Sequence, residues 1–180
     1  MTIRIATPSD ADAIAAIYAP IVQQTSISFE VEAPTADQMR DRIVKTLQDL
    51  PWLVSEDEQG KVNGYVYASK HRERAAYQWS VDTTAYIRED SRGQGVGKHL
   101  YRTLKQTLVK LGYFQAFAGI ALPNAASVAL HESVGFAPIG IYRDVGFKNG
   151  QWHDVGWWQC GLQSSTVPGT IKKFTASEIR

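Results

Sequence analysis

Apolar residues in this chain recur with two different periods, and the points where the period changes divide it into elements. The clearest run is helical. Val96, Leu100, Leu104, Leu108 and Leu111 are spaced by three and four, Arg102, Lys105, Gln106 and Lys110 fill the opposite side, and Gly112 supplies a stop. Ile14, Ile17 and Ile21 carry the same period through an earlier helix that opens at Pro8-Ser9-Asp10-Ala11-Asp12, with Ser9 the expected N-cap and Asp12 at the capping-box position. A second helix is announced by Pro34-Thr35, with Gln38 three residues after Thr35, and runs to about Leu50. Residues 124–134 read as a shorter helix ended by Gly135.

Between these stretches the pattern is that of strands. Ile3 and Ile5 suggest a short first strand, and two more are expected at 52–55 and 62–68, separated by the turn-forming Asp57-Glu58-Gln59-Gly60. A fourth at 79–87 and a fifth at 114–120 flank one crossover helix, which makes them parallel. Two further strands, 136–145 and 152–162, meet at Lys148-Asn149-Gly150, a hairpin signal. The order predicts a mixed α/β sheet with helices on both faces. Residues 1–163 are expected to form a single domain and 164–180, polar and carrying Pro168 and Gly169, a loose tail or a strap on a partner subunit.

Composition narrows the function classes. The chain has 180 residues, 44% hydrophobic and 21% charged, enough for a buried core in one domain. A net charge of +1 points to neither a nucleic-acid footprint nor an electrostatic membrane anchor. Cys160 is the single cysteine, so no intrachain disulfide and no cysteine-rich metal site is available; it is expected as a buried thiol in a strand. No signal peptide precedes the first strand and no apolar run has the length of a membrane span, so a soluble cytoplasmic protein is expected.

The chemistry concentrates at Arg92-Gly93-Gln94-Gly95-Val96-Gly97, between the fourth strand and the amphipathic helix. Glycines at alternate positions let the backbone adopt positive φ and approach a ligand, with amide N–H groups aimed at an anion on the helix N-terminus. A dinucleotide fingerprint would need glycine where Lys98 stands, and a P-loop would need glycine for Arg92 and a hydroxyl residue for His99. An ordinary glycine-rich strand-to-helix turn is the competing explanation.

The remaining pattern, Arg-x-x-Gly-x-Gly, resembles the pyrophosphate-binding loop of the GCN5-related N-acetyltransferase (GNAT) superfamily, and the segment from Leu122-Pro123-Asn124 to His131 and Gly135-Phe136 resembles that superfamily's second cofactor segment. Tyr77 to Ile87 and the stretch from Gly146 to Gln159 resemble its phosphinothricin acetyltransferase branch, so that the likeness covers about residues 1–162. The resemblance implies a GNAT fold with a central sheet of about seven strands, acetyl-CoA as co-substrate without a metal, and a homodimer. It also implies direct acetyl transfer to the α-amine of a small glutamate-like amino acid such as phosphinothricin, methionine sulfoximine or methionine sulfone. A protein N-terminus or a polyamine as acceptor, and an acyl-CoA sensor without catalysis, are the alternatives.

By the same resemblance the donor would be held by Ala85, Tyr86, Ile87, Arg92, Gly93, Gln94, Gly95, Val96, Gly97, Lys98 and Asn124. Asp82 would be the general base and His131 a coupled base or acid; the local alternatives are a strand-end carboxylate bonded to its neighbours and a structural histidine. Asp82 stands where close relatives carry Glu, and its shorter side chain favours a water relay to the amine. Alternation puts Asp82, Thr84 and Tyr86 on one strand face and Val81, Ala85 and Ile87 on the other. Arg72 and Arg74, with Tyr77 and Phe29, would form the acceptor pocket, while Lys70, His71 and Glu73 read as a solvated loop. The adjacent pair His153 and Asp154 reads as structural, and Asn124 also suits an N-cap.

Overall fold

The computed structural model describes residues 1–164 and 166–175. Its centre is a seven-stranded sheet in the order β1-β2-β3-β4-β5-β7-β6, formed by β1 (Thr2–Ile5), β2 (Trp52–Glu56), β3 (Val62–Lys70), β4 (Ser80–Ile87), β5 (Gln115–Leu122), β6 (Ala137–Lys148) and β7 (Gln151–Gly161). Only β4 and β5 pair in parallel, across the crossover helix α3 (Val96–Leu111). Among the described residues no helix is long and apolar enough to cross a membrane.

Each face has its own core. On one, Leu100, Leu104, Leu108 and Leu111 of α3 are fully buried against Val81 of β4, Ala116 and Ala118 of β5 and Cys160 of β7. On the other, α1 (Ala11–Gln24) and α2 (Ala36–Thr46) bury Ile14, Met39 and Ile43 against Trp52, Val54 and Tyr65. A short helix, α4 (Ala125–Ser133), lies beside α3 and is tied to β7 by the Trp158 indole N–H, 3.3 Å from Glu132 Oε1.

Local details differ from expectation where tertiary contacts intervene. Ser9 is not the cap of the first helix. Thr7, held extended before Pro8, heads a short 3-10 turn Pro8–Asp10 that feeds α1, and Asp10 accepts the Thr7 N–H at 2.7 Å because Arg4 of β1 pins its carboxylate with two 2.7 Å bonds. The Thr35–Gln38 capping box of α2 is present, but regular helix ends at Thr46 and single turns carry the chain to Leu50, since Pro51 keeps Leu50 out of helical geometry. The β6–β7 turn is Asn149-Gly150, both at positive φ (53° and 78°), as a two-residue hairpin requires. β6 runs to Lys148 through a bulge at Asp144 (φ 46°), whose N–H is 2.9 Å from Asp154 Oδ1.

The described part of the C-terminal segment is not loose. It returns over its own chain: the Lys172 N–H donates to the Leu111 carbonyl at 2.9 Å, the Trp79 indole to the Gly169 carbonyl at 2.9 Å, and Phe174 is buried in the core beneath α3. The reason is the open end of the α3 core beside Gly112 and Tyr113, which an aromatic ring fills.

Candidate active site

Gly93 and Gly95 adopt positive φ, 74° and 82°, with open space where a Cβ would stand, so conformation and not crowding requires glycine there. Gly97 does a different job. It is helical, and a Cβ on it would lie 2.9 Å from Cδ2 of Leu130, so its bareness lets α4 approach α3. No side chain caps α3, and the first helical hydrogen bond runs from the His99 N–H to the Gly95 carbonyl, which leaves the preceding amides facing out. They border a cavity of about 490 Å³ reached by Arg92, Gly93, Gly95, Val96, Gly97 and Lys98. Uncapped N–H groups with positive helix-end potential are an anion site, and the cavity suits the phosphates of a long donor. Ala85, Tyr86, Ile87 and Asn124 line the same cavity. Gln94 does not; its side chain donates to the Asp90 carbonyl at 2.8 Å and clasps the loop to the preceding turn.

The sheet is split beside this cavity. β4 and β5 pair only at Ser80–Gln115, Val81–Ala116 and Asp82–Phe117, while β5 continues against β7 to Leu122. At the last rung the Thr83 hydroxyl donates to the Phe117 carbonyl at 3.0 Å, and beyond it the strands part. A small cavity of about 60 Å³ occupies the gap, bordered by Thr84 and Ala85 of β4 and by Gly119, Ile120 and Ala121 of β5. His131 lines both cavities.

His131 is buried on the α3 side. Its Nδ1 lies 2.7 Å from the Ser127 carbonyl, which can only accept, so the proton sits on Nδ1 and Nε2 accepts from the Tyr101 hydroxyl at 2.7 Å. Burial pushes the imidazole pKa down, and the ring is neutral at pH 7. Asn124 caps α4, accepting from the Ser127 N–H at 3.1 Å.

On the other face stands Asp82. Val81, Ala85 and Ile87 turn to the α3 core, while Tyr86 packs with the α1–α2 core, as alternation requires. Burial pushes the Asp82 carboxyl up against the opposing pull of His71, whose Nδ1 is 2.6 Å from Asp82 Oδ1. His71 is nearly enclosed, its side chain only 11% exposed, and its ring stacks on Phe117 with centroids 4.2 Å apart and planes 14° apart. Arg72 places its guanidinium 5.9 Å from the Trp157 ring centroid, and the Trp157 indole N–H is buried without a partner among the described residues. Glycine loop and carboxylate therefore lie on opposite faces of one sheet, and the cavity in the gap between β4 and β5 reaches Tyr101 and His131 on one face and Ile27 and Tyr86 on the other, without being bordered by Asp82.

Residues 3–157 match the family model described as Acetyltransferase (GNAT) domain. The chain belongs to the GNAT acetyltransferase family. It is 35% identical to phosphinothricin N-acetyltransferase of Streptomyces viridochromogenes over 96% of this chain and 94% of that one. It is 32% identical to the L-methionine sulfoximine/L-methionine sulfone acetyltransferase of Salmonella typhimurium, over 93% and 98%. Among solved structures, a GNAT phosphinothricin acetyltransferase from Sinorhizobium meliloti in complex with AcCoA superposes with a TM-score of 0.88 at 34% identity, covering 93% of this chain and 92% of that one.

Within this GNAT domain one position near the carboxylate differs from the sequence reading. His71 is no solvated loop residue; it follows β3 directly, and the Ser69–Asp82 rung of β3 and β4 leaves it within reach of the carboxylate. Phe29 lies against β6, its ring filling the space where a Cβ on Gly146 would stand, and it borders neither cavity of the gap; Ile27 of the same loop borders both. Tyr77 lies edge-on to His71, 6.0 Å between centroids, whereas Arg74 is exposed at the head of the short Ala75–Tyr77 turn. His153 and Asp154 are bonded to the Lys148 carbonyl and to Arg143, and act as packing for the hairpin. Cys160 is buried on β7.

Proposed function

We propose that this chain is an acetyl-CoA-dependent N-acetyltransferase acting on the α-amine of a small glutamate-like amino acid, with phosphinothricin, methionine sulfoximine and methionine sulfone as acceptors. The split between β4 and β5 carries this reading, because it opens the sheet between the face with an uncapped helix terminus and the face with the half-buried Asp82 carboxylate. The Gly93–Gly97 backbone, with Arg92 and Lys98, holds the pyrophosphate, while Ala85, Tyr86, Ile87 and Asn124 flank the pantetheine arm. Backbone N–H groups of β4 beyond Asp82, released from β5, are placed to stabilise the oxyanion of the thioester carbonyl.

Transfer is direct. An ammonium must lose a proton before nitrogen attacks, and the Asp82 side is where that proton goes. Nitrogen adds to the thioester carbonyl to form the C–N bond and the oxyanion, and collapse of that oxyanion breaks the C–S bond, the thiolate leaving on the α3 side beside His131. With Nδ1 committed to the Ser127 carbonyl, His131 can take a proton through the Tyr101 hydroxyl but holds none to give at Nε2, which favours its role as coupled base. Arg72, beside Asp82, suits the acceptor's anionic end.

The protein is further proposed to work as a cytoplasmic homodimer. Ile139, Ile141, Tyr142 and Phe147 of β6 and Trp152 of β7 are about half exposed at the sheet edge, an apolar surface that a second copy would cover. Light scattering after size exclusion reads the stoichiometry. The function itself is tested by free CoA release from acetyl-CoA with a panel of amino acids, a polyamine and N-terminal peptides. Release confined to the three glutamate-like acceptors is expected; release only with peptides or polyamine, or none at all, rejects the assignment.

A further inference from the structure

Asp82 does not stand free for an incoming amine. Its Oδ1 is engaged by His71 Nδ1 at 2.6 Å, the carboxylate is about three-quarters covered, and the imidazole covers the rung Asp82–Phe117 at which β4 and β5 separate. A carboxylate accepts, so the hydrogen between the two groups belongs to His71 Nδ1 when Asp82 is ionised, and Nε2 then carries the lone pair. No described residue bonds to that Nε2. The ring itself is fixed twice, by the carboxylate at one edge and by the face of Phe117 at 4.2 Å. Its backbone is fixed as well, since the Arg72 guanidinium folds back onto the His71 carbonyl at 2.8 Å.

An imidazole whose Nδ1–H is held by a half-buried carboxylate, and whose Nε2 is unpaired among the described residues, is arranged as a proton acceptor: the carboxylate selects the tautomer and stabilises the imidazolium that forms. We propose that His71 Nε2 is the general base of the acetyl transfer and that Asp82 acts through it, as its positioning partner. This deepens the functional reading above and rests on it. In the step, an N–H bond of the acceptor ammonium breaks and an N–H bond forms at His71 Nε2. The positive charge moves to the ring beside the Asp82 carboxylate, and the freed lone pair attacks the thioester carbonyl. The imidazole supplies the reach that the short side chain of Asp82 lacks, in place of a relayed water.

H71N is the informative variant, since an asparagine amide still donates to Asp82 but has nothing at the Nε2 position. With phosphinothricin and saturating acetyl-CoA, H71N is expected to lose about 100-fold or more in kcat. The acid limb of its kcat/KM profile should vanish, leaving a rate that climbs with hydroxide. The double variant H71N/D82N should be no slower than H71N by more than about threefold, because two members of one relay are not additive. H71N within threefold of the unmodified enzyme, with the acid limb intact while D82N is inactive, overturns the dyad and returns the base to Asp82. Should H71N fail to fold, nitrogen-15 NMR on the unmodified protein decides. Addition of phosphinothricin with CoA must shift the Nε2 resonance of His71, and an unmoved resonance overturns the proposal. If the unmodified enzyme releases no CoA with any amino acid, the functional reading fails first and this one with it.

Discussion

The Tyr101 hydroxyl stands 2.7 Å from Nε2 of His131, and both residues are buried where the gap in the sheet opens onto the α3 face. The tyrosine comes from α3 and the histidine from α4, so the contact couples the helix that follows the glycine loop to the helix that borders the same cavity. Y101F leaves the ring packing intact but strands a buried nitrogen without its donor. A loss of about 1–3 kcal/mol in stability is expected, with a fall in kcat and little change in the KM for acetyl-CoA. Urea unfolding and steady-state kinetics on the same preparation check both.

His131 also gives the fold a pH dependence. Burial lowers its pKa in the folded state, so at pH below about 6.5, the ordinary imidazole value, the unfolded chain binds a proton that the folded chain refuses. Stability contributed at neutral pH is therefore lost on acidification, starting near that value. H131Q should flatten this part of the profile. Urea midpoints at pH 7.5 and 5.5 should lie farther apart for the unmodified protein than for H131Q.

Gly97 and Leu130 form a pair that can be tested by compensation. G97A places a Cβ 2.9 Å from Leu130 Cδ2. Overpacking costs about 1–3 kcal/mol, offset by about 1 kcal/mol of helix propensity. The net loss is about 0–2 kcal/mol, and Leu130 is expected to turn into the cavity that it lines. The KM for acetyl-CoA should rise several-fold in G97A and return toward normal in G97A/L130A.

Arg72 and Arg74 should part company. R72A is expected to raise the acceptor KM about tenfold, roughly 1.4 kcal/mol, and R72K to recover little because the flat guanidinium over Trp157 is what the site uses. R74A, exposed at the head of its turn, should shift the acceptor KM by less than about twofold. Equal effects of the two would discount the assignment of Arg72.

Phe174 tests the C-terminal return. Its ring is 6% exposed and shares a cluster with Leu111 and Tyr113. F174A should cost about 3 kcal/mol, at the low end of buried-aromatic truncation because the segment can partly collapse. Kinetic constants of the folded enzyme should stay unchanged, since Phe174 borders neither cavity of the gap.

Where a short local pattern sets the geometry, the sequence disclosed it. The leucine spacing of α3, the alternation along β4 and the Thr35–Gln38 box are such patterns, and all three stand in the structure. Gly93 and Gly95 were legible because positive φ leaves few residue choices. What stayed hidden depends on rungs and contacts between distant segments. Ser9 lies inside the 3-10 turn headed by Thr7, and Asp10 stands at the N-cap of α1, its carboxylate held by Arg4 of another element. His71 sits in a run of charges that reads as solvated, and only the β3–β4 register shows that it ends against Asp82. The packing of Phe29 over the bare Gly146 was equally hidden, because it joins residues far apart in the chain.

The three-rung ladder between β4 and β5 has a consequence for how material moves through this protein. A sheet that stays closed would force both reactants through one mouth, in a fixed sequence. Parting the strands after Asp82 lets one small cavity touch both faces, at Ile27 and Tyr86 on one and at Tyr101 and His131 on the other, so the proposed reaction would have a side for each reactant. The acetylated amino acid can leave by the α1–α2 side while CoA still occupies the α3 side. Product inhibition should then depend on which side each product blocks, more than on the order in which the reactants arrived.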